Sequence, residues 1–412
     1  MKRVELLAPA GDLEKLKFAI YYGADAVYIG GEIFGLRAAS KNFSIEEMKE
    51  GIEFAHERGK RVYLTLNIIP HNADIDALQR YLESVRDIGL DAVILADPGT
   101  LMYVKMFAPD MEVHLSTQAN NTNYMSAKFW HSQGVKRIVL ARELSFEEIE
   151  EICENTPDDL EFEAFVHGAM CISYSGRCLL SSYLTGRDAN QGACAQPCRW
   201  SYQLVEEKRP GETYPVVETD RGTFIFNSKD LCMIHAIPEL IESGLDSLKI
   251  EGRMKTVYYV ASVVRAYRKA IDTYYADPQN YTYDPEWFEE IRKVSHREFT
   301  SGFYEGNPGA DGQLYGSSAY IRTYDFIGLV KSYDPETGMA CIEQRNRFKR
   351  GDRIEIIGPD YYEQVLDIKE MTDEDGTPID VAPHAQQTVY LRVGAPVAPN
   401  YILRMAKEEA HE

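Results

Sequence analysis

Four segments of this chain repeat one join, in which a helix-like stretch stops at a glycine and a short apolar run follows almost at once. They read GADAVYIGG from Gly23, GLDAVILAD from Gly89, GVKRIVLAR from Gly134 and GLDSLKIEG from Gly244. A glycine that ends a helix takes a left-handed conformation other residues resist. Four or five apolar residues without polar alternation suit a strand buried on both faces, the usual state of a parallel sheet. The runs VELLAP, KRVYLTLN, EVHLSTQ and LEFEAFVHG bring the count to eight, with strands beginning near Val4, Ala26, Val62, Ala92, Val113, Ile138, Phe162 and Ser247. Eight such strands alternating with helices predict an α/β fold, a closed (β/α)8 TIM-like barrel, in preference to a doubly wound open sheet.

The segments between strands carry helix signals. Ser44-Ile45-Glu46-Glu47 and Ser145-Phe146-Glu147-Glu148 are capping boxes, in which serine and glutamate satisfy backbone amides at a helix start. Between the seventh strand and a helix expected to begin near Ser228 lies an insertion of about sixty residues, far beyond an ordinary loop. The barrel is therefore expected over 1–295, with this insertion at about 168–228 and a closing helix from about Lys255 to Tyr275. Residues 296–320, rich in Gly, Tyr and Ser, read as a linker. From 321 to 412 short alternating runs, FIGLVKSY, MACIEQRN, DRIEIIG, QVLDIKEM and TVYLRVG, predict a small all-β domain, expected to be a barrel.

Four of the seven cysteines fall inside the insertion as Cys171-x6-Cys178-x15-Cys194-x3-Cys198. Thiolates are soft ligands, so the cluster suits zinc or an iron-sulfur centre better than a hard cation. The spacing matches neither a Cys-x2-Cys zinc knuckle nor a ferredoxin run and leaves both metals open. Gly168, Gly176, Gly186 and Gly192 among them allow tight turns. Cys232 is a fifth candidate, placed near the barrel mouth as an alternative fourth ligand. Cys153 and Cys341 read as small buried apolar residues.

An odd number of cysteines in a long chain whose start is unlike a signal peptide fits a cytoplasmic protein. No apolar run reaches eighteen residues, so no membrane span is expected. The formal charge of -21 argues on average against a nucleic-acid partner, but local patches decide such binding. One patch stands out. Arg345, Arg347, Lys349, Arg350 and Arg353 put five cations within nine residues around Phe348, a candidate RNA-binding hairpin or else a charged turn guarding an edge strand.

In a parallel barrel, chemistry belongs at the carboxyl ends of the strands. Those ends supply amides and cations suited to a polar, anionic ligand. His167, Lys249, Glu251 and Arg253 are the candidate catalytic residues. Arg37, Asn67, Gln118, Asn120, Arg142 and Asn227 are candidates for binding substrate. No His-Glu-x-x-His helix, Gly-x-Ser-x-Gly elbow or Walker phosphate loop is present.

The run Glu163-x-Phe165-x-x-Gly168-Ala169-Met170-Cys171-x4-Gly176-x-Cys178-x-Leu180-Ser181 resembles the signature of the collagenase-like peptidase family of unassigned catalytic type. LLAPAG, NQGACAQPCRW, NSKDL, LKIEGRMK and the C-terminal β domain extend the resemblance over most of the chain. It implies one of two activities. Several branches resemble oxygen-independent hydroxylation systems with a four-iron four-sulfur (4Fe-4S) cluster. The branch of this length and domain plan acts on tRNA, converting wobble uridine to 5-hydroxyuridine with prephenate as the oxygen source. On that reading Cys171, Cys178, Cys194 and Cys198 hold the cluster, with Cys232 as the alternative to Cys198. Arg37, Arg142, Lys249 and Arg253 grip the small anionic cosubstrate, and the C-terminal domain grips tRNA. The family name implies the alternative, a peptidase using Cys171 with His167, or a metal.

Overall fold

The computed structural model describes residues 3–35, 42–171, 174, 178–200, 217–219, 222–224, 228–308, 312, 314, 320–359 and 361–407. Seven parallel strands run in chain order: β1 (Glu5–Pro9), β2 (Ala26–Gly30), β3 (Arg61–Leu66), β4 (Ala92–Leu95), β5 (Glu112–Leu115), β6 (Arg137–Val139) and β7 (Glu161–Ala169). The strand Ser247–Ile250 closes the ring. It pairs in parallel with β1, Ser247 opposite Glu5, and with β7, Ser247 opposite Glu163. The expected eight-stranded closed barrel is present.

Side-chain alternation separates two cores. Leu7, Ala26, Tyr28, Tyr63, Ala92 and Ile94 fill the barrel interior. Leu6, Ala8, Val27, Ile29, Val62, Leu64, Val93 and Leu95 belong to the larger core under the helices. Both predicted capping boxes form, at the helices Ile45–His56 and Phe146–Glu154. Among the described residues no helix is long and apolar enough to cross a membrane.

The helix expected near Ser228 is instead a strand, Asp230–Cys232, antiparallel to the end of β7, with Cys232 opposite His167 and Asp230 opposite Ala169. At nine residues β7 outruns its neighbours, and its protruding edge supplies the partner that this short segment needs. The helix follows later, at Ile237–Glu242. Residues 296–308, read as linker, pack on the barrel. Phe299–Thr300 extends the sheet beside Asp230–Leu231, and the Tyr304 hydroxyl donates to the Phe165 carbonyl at 2.7 Å.

Beyond Tyr320 the chain forms a seven-stranded antiparallel sheet: Glu363–Asp367, Arg353–Ile357, Ile402–Ala406, Tyr324–Asp334, Met339–Gln344, Thr388–Arg392 and Met371–Thr372 in spatial order. Among the described residues no ladder joins its two outer strands. The sheet has its own core around Ile327, Ile342, Phe348, Ile354 and Leu403. Polar bonds tie it to the barrel. Buried Arg404 makes a forked pair with Glu290 at 2.6 and 2.7 Å, and Tyr22 donates to the carbonyls of Ile357 and Asn400. A forked guanidinium–carboxylate pair fixes orientation as well as distance.

Candidate active site

Two adjoining cavities lie at the carboxyl ends of the barrel strands. The outer one, of about 510 Å³, is bounded by Cys171, Cys178, Cys194 and Cys198 on the insertion side, by Lys255 and Tyr259 on the barrel, and by Tyr324 and Phe326 at the start of the C-terminal sheet. The inner one, of about 130 Å³, sinks into the barrel mouth among Thr65, Asn67, Ser116, Gln118, Lys249 and Arg253. Arg142, Cys171 and Glu251 line both.

A backbone bond ties the described part of the insertion to the barrel mouth, and side-chain bonds brace it from within. Ile69, in the loop after β3, donates its amide to the Asn190 carbonyl at 3.1 Å. The buried Ser181 hydroxyl donates to the Arg187 carbonyl at 2.7 Å and accepts from the Ala195 amide at 2.9 Å, pinning the turn that carries Cys194 and Cys198. Gly168 leaves β7 at φ +112°, and a Cβ there would lie 2.6 Å from the Glu251 carbonyl oxygen. This close approach brings the two strand ends together just before Cys171.

The inner well is built on buried charge. Lys249 Nζ lies 2.8 Å from Glu163 Oε1, over the face of Tyr28. Arg137 reaches the same carboxylate at 3.3 Å and Glu5 at 2.5 Å. Burial opposes ionisation of Glu163, but the adjacent Lys249 and Arg137 outweigh it and hold its pKa below the ordinary carboxylate value. Glu163 therefore sits beneath the mouth as a counter-ion. Arg253 donates to Thr65 Oγ1 at 2.9 Å, and a Cβ on Gly30 would come within 2.3 Å of its Nη1, so glycine gives the guanidinium its place. Arg142 donates to the Ala169 carbonyl at 2.6 Å and stacks on Phe165, while its buried Nε has no hydrogen-bond partner among the described residues. Tyr28 donates to Glu251 at 3.1 Å.

The structure thus brings Asn67, Gln118, Arg142, Lys249, Glu251 and Arg253 together in one well. Asn120 does not line it. It takes a left-handed conformation at the end of the turn Thr117–Ala119, where it shapes the loop behind Gln118. Arg37 and Asn227 lie outside the described residues. His167 is buried among Tyr259, Tyr267 and Phe299, lines neither cavity, and its pKa is pushed down to about 3 by burial and then by the charge of Lys255.

The four insertion cysteines are free thiols at a common cavity. Cys171 and Cys194 are exposed, Cys178 and Cys198 half-buried, and the Gln196 amide donates to Cys194 Sγ at 3.3 Å. Amide bonds to sulfur favour the thiolate that a soft metal requires. The donor set suits an iron-sulfur cluster in its chemistry, and all four thiols border one cavity. Among the described residues no three His, Cys, Asp or Glu side chains gather closely enough for a single metal ion. Cys232 lies apart, buried in its strand against Tyr267, and burial pushes its thiol up to about 12.

Several lining residues escaped the sequence reading. Lys255 lies over the Tyr320 ring at 3.9 Å and donates to the Ser295 carbonyl at 3.1 Å; burial lowers its pKa. Its signal was the final residue of LKIEGRMK. Tyr324 and Phe326 alternate on one face of their strand, a period-two cue, but nothing local says that this face meets the barrel.

The basic hairpin is only partly available to a ligand. Arg345 is committed to Glu14 on the barrel helix Leu13–Tyr21 and to Glu343, Arg350 stands 3.6 Å from Asp380, and Arg353 stands 3.8 Å from Asp367. Arg347 and Lys349 are exposed without an ion pair among the described residues.

Comparison with known proteins gives the lineage. The chain is 47% identical over 98% of its length to tRNA hydroxylation protein P1 of Bacillus subtilis, 96% of which is covered. It is 38% identical to tRNA hydroxylation protein P of Escherichia coli, with 98% of this chain and 97% of that one covered. A protein named Collagenase from Porphyromonas gingivalis is 35% identical, with 86% of each chain covered. The model of peptidase family U32 matches residues 11–314 and that of the family's C-terminal domain matches 322–404, and so the chain, barrel and sheet together, belongs to peptidase family U32.

Proposed function

We propose that this chain is a tRNA-modifying enzyme that hydroxylates wobble uridine at C5 without molecular oxygen, with prephenate as the oxygen-bearing cosubstrate and a 4Fe-4S cluster on Cys171, Cys178, Cys194 and Cys198. The observation that carries the reading is the wall shared by the two cavities: Cys171 borders both the thiol-lined outer space and the cationic inner well. The relatives named as tRNA hydroxylation proteins support the reaction class.

The chain's own residues divide the work. Arg142 and Arg253 offer guanidinium groups to carboxylates, with Lys249 already half-neutralised by Glu163. Asn67, Ser116 and Gln118 offer amides and a hydroxyl to neutral oxygens. The buried position of the well raises the strength of these bonds by excluding water. Cys171, Cys178, Cys194 and Cys198 would hold the cluster, which would supply Lewis-acid and electron-transfer chemistry when bound.

A peptidase reading, with Cys171 and His167 or with a metal, draws on the Collagenase relative; its Cys171–His167 form is disfavoured because this imidazole is buried outside both cavities. Mass spectrometry of tRNA nucleosides from a deletion strain tests the proposal. Loss of 5-hydroxyuridine derivatives, restored by the wild-type gene but not by a Cys178→Ser variant, is the expected result; unchanged levels in a strain with no second copy of the pathway would overturn it.

A further inference from the structure

The outer cavity, at about 510 Å³, is far larger than the inner well, and its composition is uneven. That volume falls within the range of sites for whole small molecules. Besides the four thiols its lining carries several aromatic rings, with Tyr174 from the insertion, Tyr259 and Tyr320 from the barrel side, and Tyr324 and Phe326 from the C-terminal sheet. At the lip stands Arg322, an exposed cation with no ion pair among the described residues. Phe326 is backed by Tyr258 in a near-parallel stack, with centroids 6.0 Å apart and planes 17° apart. This stack joins the last barrel helix to the C-terminal sheet at the cavity.

Flat rings and thiols lining one cavity, with an exposed cation among them, suit one unstacked nucleobase followed by its phosphate. Stacking on aromatic side chains tolerates any base and is the common way in which proteins hold single nucleotides. Chemistry on a base requires it to leave its stack, at least cost where it is already unpaired. A duplex cannot enter a space of this size.

We propose that the outer cavity is a nucleobase pocket formed jointly by barrel, insertion and C-terminal sheet, in which Tyr174 stacks on an extruded base and Arg322 holds an adjacent phosphate. The proposal rests on the tRNA reading and deepens it. It also places the RNA contact at the domain junction, whereas the basic hairpin has three of its five cations in ion pairs.

Anaerobically purified full-length protein is titrated by fluorescence anisotropy with two hairpin RNAs, identical except that one carries uridine and the other an abasic site in the loop. Loss of the base is expected to weaken binding about tenfold, the effect of one lost base–aromatic stack. Tyr174→Ala, a change at an exposed ring, should weaken the uridine RNA by a similar factor and leave the abasic RNA unaffected. Arg322→Ala should weaken both RNAs equally and reduce the salt slope by about one. Equal affinity for the two RNAs, or equal weakening of both by Tyr174→Ala, would overturn the pocket while leaving the tRNA reading in place. Failure of both RNAs to bind at low salt would overturn the tRNA reading itself, and the pocket with it.

Discussion

Lys249 Nζ lies 2.8 Å from Oε1 of Glu163, a carboxylate with no exposed side-chain surface, and the same carboxylate faces Arg137 at 3.3 Å from below. One buried anion thus holds the cation at the floor of the well and links it to the far end of the barrel. Breaking such a pair leaves uncompensated charge in the core, at a cost of about 3–5 kcal/mol. Glu163→Gln is expected to destabilise the fold by about that much in denaturant unfolding. Lys249→Met should cost less, because Arg137 still neutralises Glu163. Equal costs would show that Arg137 does not share the charge.

Acid should weaken the fold in two stages. His167 has its folded pKa pushed from the ordinary 6.5 down to about 3 by burial, so below pH 6.5 the unfolded chain binds the extra proton and the folded chain does not. Its contribution is complete above pH 6.5 and falls away as pH drops toward 3. Glu163, whose folded pKa is also lowered, contributes above its unfolded value near 4.3 and loses that contribution as pH falls further. His167→Leu should flatten the stability profile between pH 6.5 and 4.5. A profile unchanged in that window would contradict the assignment.

The cysteines should separate sharply by metal content. Alanine at Cys171, Cys178, Cys194 or Cys198 should abolish bound iron and labile sulfide in anaerobically prepared protein. Cys232→Ala should retain both and cost about 1 kcal/mol of stability, a typical single-substitution effect, because its thiol is protonated and buried outside the cavity. Iron lost on Cys232→Ala and kept on Cys198→Ala would exchange the two roles.

Gly30→Ala tests the seat of Arg253. A methyl group there would meet Arg253 Nη1 at 2.3 Å, and because this is the end of a flexible side chain it should move aside at a cost of about 1 kcal/mol. Activity should fall by at least about tenfold through loss of the aligned guanidinium, on the scale of one charge-assisted bond. Wild-type steady-state kinetics in Gly30→Ala would remove Arg253 from the binding machinery.

Arg345→Ala should act on domain docking. Its partners Glu14 and Glu343 are partly exposed, so screening limits the loss to about 1 kcal/mol. Proteolysis at the junction should quicken, while RNA affinity changes little. A large drop in affinity with unchanged proteolysis would return Arg345 to the RNA surface.

Local chemistry was legible in the sequence wherever one segment carried the whole signal. Glycine-ended helices, doubly buried apolar runs and serine–glutamate caps set the eight strands and their order, because each depends on residues within a few positions. The cysteine cluster and the strand-end cations were legible for the same reason, since parallel strands must deliver their ends to one rim. What the sequence could not supply were pairings between distant residues. Asp230–Cys232 is a strand only because β7 overhangs the barrel, and that contact buries Cys232. Arg345 reads as a free cation until Glu14, 331 residues away, is brought beside it. Tyr324 and Phe326 became cavity walls only when the C-terminal sheet docked through Arg404 and Glu290. Burial and charge compensation are properties of what surrounds a residue, and for these residues the surroundings come from remote parts of the chain.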